Sequence, residues 1–195
     1  MTPLKVLKNA VEILKNLPCK FCLIGGHAAS LYRKQERFTK DVDFTIVADK
    51  PGQSRKLAED CIKALGLEPA LGFIPSNQKG SENKILMVTS KPMINELTGI
   101  IDILLPEIPW VPEAIERAQS NKIDLIFDHV PVITPEDLVV AKAYALRNNP
   151  DRFQDLDDLK EIFLNVNDLD FVYLNKQLKE FELSLPDAIK KYVKR

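Results

Sequence analysis

The stretches Phe21-Cys22-Leu23-Ile24-Gly25-Gly26-His27-Ala28 and Arg37-Phe38-Thr39-Lys40-Asp41-Val42-Asp43-Phe44-Thr45-Ile46-Val47 hold the pattern that decides the fold. Phe21 to Ile24 is a short apolar run stopped by two glycines, and His27 to Arg33 has the composition of a helix. Asp41 to Val47 alternates and then turns apolar, and its β-branched Val42, Thr45, Ile46 and Val47 favour a second strand. The order is strand, glycine turn, helix, strand.

Working outward, Pro3 to Leu17 carries Leu4, Leu7, Val11 and Leu14 at helical spacing, and Pro18 ends it. Ser54 to Leu65 reads as a helix with Leu57, Cys61, Ala64 and Leu65 on one face and Gly66 where a C-terminal cap belongs. Ser76 to Asn83 is a polar loop. Lys84 to Thr89 and Gly99 to Leu105 read as strands, Glu113 to Ser120 as a helix, and Ile123 to Ile133 as one or two short strands. From Thr134 the pattern becomes helical. Thr134-Pro135-Glu136-Asp137 is a helix start with a capping hydroxyl, Pro at the first helical position and an acid three residues past the cap. That helix runs to about Arg147, followed by helices over Asp151 to Leu164, Leu169 to Phe181 and Asp187 to Val193. The expectation is an α/β (α+β) protein, a mixed β-sheet flanked by helices over residues 1–133, with a C-terminal helical region over 134–195.

Asp41-Val42-Asp43 opens a strand, and residues two apart on a strand point to the same side. Two converging carboxylates repel unless a divalent cation neutralises both, and oxygen-only ligation suits magnesium or manganese. One Asp capping a turn with the other exposed is the plain alternative. Asp102 lies inside Ile100-Ile101-Asp102-Ile103-Leu104-Leu105, which otherwise reads as buried on both sides; a lone carboxylate there costs several kcal/mol or takes up a proton. Either it meets an Arg or a strand edge, or it joins Asp41 and Asp43 from a neighbouring strand. Three such carboxylates can hold two cations roughly 4 Å apart for in-line phosphoryl displacement. Gly25 and Gly26, between strand and helix, would let backbone N–H groups approach phosphate, or simply make a tight turn. No Gly-Lys-Ser/Thr follows them and no G-x-G-x-x-G is present, so neither a Walker loop nor a dinucleotide fingerprint applies.

Taken together, Leu23-Ile24-Gly25-Gly26-His27-Ala28, Arg37-Phe38-Thr39-Lys40-Asp41-Val42-Asp43 and Asp102 in its apolar strand resemble the polymerase-beta-like nucleotidyltransferase superfamily. Within it, the Arg-x-Thr-x-Asp-x-Asp spelling, Pro135-Glu136-Asp137-Leu138, Lys142, Ala145 and the segment Arg152 to Leu159 are similar to the AbiEii-type group of abortive-infection and toxin–antitoxin nucleotidyltransferases. The resemblance implies a nucleotidyltransferase fold and a magnesium- or manganese-dependent transfer of a nucleoside monophosphate from an NTP. It implies that Asp41 and Asp43 bind the metals carrying the triphosphate, that Asp102 helps activate an acceptor hydroxyl, and that Gly25 and Gly26 hold phosphate. His27 stands where many members have Ser or Thr. Lys142 shares a helical stripe with Leu138 and Ala145, so it either snorkels to solvent or reaches nucleotide phosphates. Asp155 and Asp158 match the group's later acidic positions, or else form a solvated or Arg-paired face. Arg37, Lys40 and Arg152 are further candidates for phosphate or acceptor contacts. The acceptor is open among a tRNA end, a protein hydroxyl and a small molecule, and a cognate antitoxin or toxin partner is implied. A catalytically inactive binding or regulatory protein of the same fold is the alternative.

Composition bounds these readings. With 27 Lys+Arg against 28 Asp+Glu the net charge is -1, which excludes nucleic-acid affinity based on a chain-wide positive field and leaves only local patches. No run of about 18 apolar residues exists and Met1 to Val6 lacks the basic-then-apolar order of an export signal, so a cytoplasmic protein with no membrane association is expected. Three cysteines, Cys19, Cys22 and Cys61, argue against a disulfide framework, and Cys19-Lys20-Phe21-Cys22 lacks the second ligand pair a zinc site needs.

Overall fold

The computed structural model describes residues 2–35, 37–73, 85–91 and 100–193. Helix α1 (Pro3–Lys15) leads into β1 (Cys19–Ile24), α2 (Gly25–Leu31), β2 (Val42–Ala48), α3 (Ser54–Ala64) and β3 (Pro69–Phe73). Strands β4 (Ile85–Ser90) and β5 (Ile101–Leu104), helix α4 (Val111–Ala118) and a hairpin of β6 (Lys122–Leu125) and β7 (Asp128–Pro131) follow. The chain then continues through α5 (Pro135–Asn148), α6 (Phe153–Asn165), α7 (Phe171–Glu180) and α8 (Asp187–Lys190). Mixed α/β architecture with a helical C-terminal region is what the periodicities predict.

Five strands form one mixed sheet in the order β1-β2-β5-β4-β3. β1 and β2 are antiparallel, β2 and β5 parallel, and β5, β4 and β3 antiparallel in turn. The β2–β5 pairing places Asp43 beside Asp102 in register. Every inward residue of β2, from Val42 through Phe44 to Ile46, is completely buried. Burial of side chains this size is worth about 2 kcal/mol each, which pins the register and leaves Asp43 on the opposite face.

Several expectations change in detail. The glycine turn between strand and helix is tighter than expected: its two glycines are already the first two residues of α2, and Gly25 takes a φ of 64. Residues 101–104 are not buried on both sides. Ile101 and Ile103 enter the core while Asp102 and Leu104 alternate onto a half-buried face, so the carboxylate has an aqueous side. In α1 it is Val6, Leu7, Ala10, Val11 and Leu14 that are buried, whereas Leu4 is exposed. Strand β3 went unread in the sequence because Pro69-Ala70-Leu71-Gly72 has no β-branched residue; it is an edge strand, where a leading Pro is tolerated. The polar loop at 76–83 lies outside the described residues.

Among the described residues the buried apolar side chains, from Val6 to Ile189, form one cluster, so the sheet and the C-terminal helices share one core. The expected cap of α5 forms, the Thr134 hydroxyl accepting from the Asp137 N–H at 3.3 Å. The end of the hairpin docks beside β1, the Ile133 N–H donating to the Leu23 carbonyl at 3.0 Å. Among the described residues no helix is long and apolar enough to cross a membrane.

Candidate active site

Two adjacent strands carry the acids. Asp41 directly precedes β2, Asp43 is its second residue, and Asp102 is the second residue of β5. Each offers a carboxylate oxygen, and these oxygens lie within 4.8 Å of one another. The parallel register explains this: neighbouring strands run a little under 5 Å apart, and residues 41 and 43 share a face.

Three half-buried carboxylates at such distances are electrostatically frustrated. Burial, then the charges of Asp41 and Asp102, push Asp43 up to about 7, against weaker opposing pulls from the Gly26 N–H and from Lys142. Burial, together with Asp41, also raises Asp102, while the Thr89 hydroxyl, set opposite it across β4, pulls back. The Thr39 hydroxyl donates to Asp41 Oδ1 at 3.0 Å and so fixes that carboxylate's rotamer. An all-oxygen donor set under mutual repulsion fits a hard divalent cation.

The two glycines are there because side chains press against them. A Cβ on Gly25 would lie 1.9 Å from Asp43 Oδ2, and one on Gly26 would lie 2.8 Å from Thr39 Oγ1. The turn therefore seats the acids themselves, and the Gly26 N–H is engaged with Asp43. His27 stands beside them, half-buried, with its Nε2 buried and unpartnered. Burial lowers its pKa, Asp41 pulls it back up and Arg37 pushes it further down.

Next to the acids lies a cluster of cations. Lys142 does not snorkel to solvent: it is 5% exposed and donates to Asp155 Oδ1 at 2.8 Å and Asp158 Oδ2 at 2.7 Å. Asp158, fully buried, also takes Arg33 at 2.7 Å and Arg37. Arg37 further donates to Gln154 Oε1 at 3.0 Å, Arg33 to Asp157 at 2.7 Å, and Arg152 to Asp155. Asp155 and Asp158 thus face cations, as an Arg-paired helix face does. Lys40 is exposed. Sequence reasoning missed Arg33, Thr39, Thr89 and Gln154. Only Thr39 left a signal, a hydroxyl two residues before the first Asp of the pair.

The cysteines take no part. All three are free, and burial pushes the Cys19 thiol up to about 11, with Asp49 adding to the rise.

A strand, a glycine-started helix, a parallel neighbour and three acids converging where the strands meet define the nucleotidyltransferase fold. Solved structures share it, among them the following two. The antigenic nucleotidyltransferase-like protein from Paracoccidioides brasiliensis is 16% identical with a TM-score of 0.51, over 91% of this chain and 87% of that one. The antibiotic-resistance factor ANT(2'')-Ia is 15% identical with a TM-score of 0.55, over 93% of each chain. At these identities the likeness is one of fold. No curated protein matches the sequence. The family described as nucleotidyl transferase AbiEii toxin, type IV toxin–antitoxin system, matches residues 11–184. The chain belongs to the AbiEii family of nucleotidyltransferases.

Proposed function

We propose that this enzyme moves a nucleoside monophosphate from an NTP to an acceptor hydroxyl, with magnesium or manganese held by Asp41, Asp43 and Asp102. The observation that carries this is the convergence of three carboxylates from two adjacent strands to within 4.8 Å, a grouping with no favourable charge balance of its own. When bound there, divalent cations supply neutralisation of the acids and stabilisation of the negative charge that develops on the phosphoryl oxygens.

The chain's own residues do the remainder. Thr39 orients Asp41, and the cradle of Gly25 and Gly26 fixes Asp43. Asp102, on the half-buried face of β5, is placed to receive the acceptor hydroxyl's proton. The acceptor oxygen forms a bond to the α-phosphorus, the bond from that phosphorus to the β-phosphate bridging oxygen breaks, and pyrophosphate leaves. Lys142 and Arg37 are the phosphate-facing cations of this scheme, and His27 Nε2 offers a neutral partner for a phosphate oxygen. Asp155 and Asp158 position those cations; anions themselves, they are poor phosphate ligands. Lys40, exposed and one residue from Asp41, and Arg152 serve the outer phosphates or the acceptor.

The acceptor stays among tRNA, protein and small-molecule hydroxyls, and a cognate antitoxin would be the regulating partner. The test is incubation with each α-labelled NTP, magnesium and a cell extract. Label should appear on one acceptor class with the wild type and on none with Asp41→Ala or Asp43→Ala, both folded by circular dichroism. Unchanged labelling in either variant would refute the mechanism. Magnesium-dependent NTP binding with no turnover would favour the non-catalytic alternative.

A further inference from the structure

Ser90 closes β4 on the core side of the sheet and is completely buried, an uncommon place for a residue that gains little from leaving water. Its hydroxyl oxygen accepts from two backbone donors at the start of β5, the Ile100 N–H at 2.9 Å and the Ile101 N–H at 3.4 Å. The Ile100 carbonyl in turn accepts from the Val42 N–H at 3.0 Å, and Val42 is the residue between Asp41 and Asp43. One buried hydroxyl therefore ties the end of β4 to the entry of β5 and, through it, to the first residue of β2.

That junction is where the sheet carries its electrostatic load. β5 is four residues long and Asp102 is its second, set beside Asp43 on β2 and Thr89 on β4. Mutual repulsion of three carboxylates whose oxygens lie within 4.8 Å pushes the starts of β2 and β5 apart, and strand ends open more easily than their middles. Thr89 and Asp102 stand on the half-buried face, while Ser90 and Ile101 turn to the core. The hydroxyl thus holds the acid-bearing strand from the face opposite the acids.

We propose that Ser90 is a positioning residue of the metal site, fixing Asp102 against Asp41 and Asp43 through the backbone of Ile100 and Ile101. This rests on the metal-site reading above. A purely structural serine would satisfy the same two amides and stabilise the fold without setting metal affinity. Ser54 supplies the comparison: it is 6% exposed, and its hydroxyl oxygen accepts from the Ala48 N–H at 3.0 Å, the same kind of bond at the opposite end of β2.

The experiment compares Ser90→Ala, Ser90→Cys and Ser54→Ala in the full chain, each checked for folding by circular dichroism. The cysteine variant keeps the volume and loses the oxygen. Manganese alone is titrated, and the free ion is followed by electron paramagnetic resonance. The Kd for manganese should rise at least about tenfold in both Ser90 variants, the usual effect of losing a group that orients a metal ligand, and by less than about twofold in Ser54→Ala, although all three melt below the wild type. In the metal-free protein, amide exchange at Val42 should be roughly tenfold faster in the Ser90 variants and unchanged in Ser54→Ala. Manganese affinity unaltered in the Ser90 variants, or weakened equally in Ser54→Ala, would overturn the positioning role and leave the metal site standing. A wild type that takes up no manganese overturns the metal-site reading and this inference with it.

Discussion

Asp158 is the residue on which the cation cluster turns, and replacing it by alanine should cost stability before it touches any chemistry. Its carboxylate is fully buried and accepts from Arg33, Arg37 and Lys142, whose side chains are 7%, 16% and 5% exposed. Removing one partner of a buried ion pair costs about 3–5 kcal/mol, because a charge is left desolvated and uncompensated. Three separate penalties would overstate the case. Arg33 keeps Asp157 at 2.7 Å, Arg37 keeps Gln154 at 3.0 Å and Lys142 keeps Asp155 at 2.8 Å, so no cation is stranded. The expected loss therefore falls at the lower end, about 3 kcal/mol, a fall in melting temperature of roughly 6–12 °C for a domain of this size. Urea unfolding followed by circular dichroism should show a lower midpoint with an unchanged slope. The pair can be isolated by a cycle with Lys142→Ala: the double variant should lose less than the sum of the singles by at least about 1 kcal/mol. An Asp158→Ala protein within 1 kcal/mol of wild type, or strict additivity with Lys142→Ala, would refute the assignment of Asp158 as the hub.

Two further perturbations probe the acids. Asp43 is raised from 3.8 to about 7, so the fold binds its proton more tightly than the unfolded chain does. Its contribution to stability is whole below about pH 4 and is lost as pH rises through 7. Asp43→Asn, which cannot ionise, should therefore melt above the metal-free wild type at pH 8, by about 2 kcal/mol once the full shift is halved for partial solvent screening, and the two should converge near pH 4. Melting curves in EDTA that coincide at pH 8, or a gap that widens towards acid, would contradict this. Gly25→Ala should cost about 2 kcal/mol or more and abolish any magnesium-induced rise in melting temperature, since its Cβ would lie 1.9 Å from Asp43 Oδ2. Gly52→Ala has a similar φ of +76 and nothing within 4 Å, so it should lose only the backbone term, about 1 kcal/mol; equal losses in the two variants would remove the steric account of the cradle.

The fold was legible because its elements carry strong local patterns. α3 and α5 begin at or within one residue of their predicted starts, and Gly66 takes the positive φ of a C-terminal cap. The two acids at the start of β2, Asp41 just before it and Asp43 on it, were legible from period two alone. Asp102 could be flagged as anomalous and offered as a third acid on a strand neighbouring β2, as it is, but the register could not be read, because it is settled by which side chains fill the core. The glycines could be noticed, as a turn open to phosphate or simply a tight one, but not their neighbours: a Cβ would press on Asp43 at Gly25 and on Thr39 at Gly26. The stripe position of Lys142 followed from helical spacing. Its partners, 13 and 16 residues further on, belong to another helix and leave no periodicity to find. Arg33 left none either, since its bonds to α6 join positions more than a hundred residues apart.

In the proposed mechanism Lys142 combines a buried ion pair with a phosphate contact. An ammonium has three N–H donors. Two are spent on Asp155 and Asp158, which leaves one, and Lys142 still draws down the pKa of Asp43, so its charge is felt at the acids. Arg37 is in the same position: its terminal nitrogens are engaged with Asp158 and Gln154, while its buried Nε has no partner. The carboxylates of α6 therefore fix two cations whose flexible stems would otherwise lose rotamer freedom on binding, an ordering cost of about 0.5–1.5 kcal/mol per side chain. That cost is met during folding instead. A phosphate arriving between the cluster and the acids would meet donors already in place, which is why a site rich in its own anions is compatible with an anionic substrate.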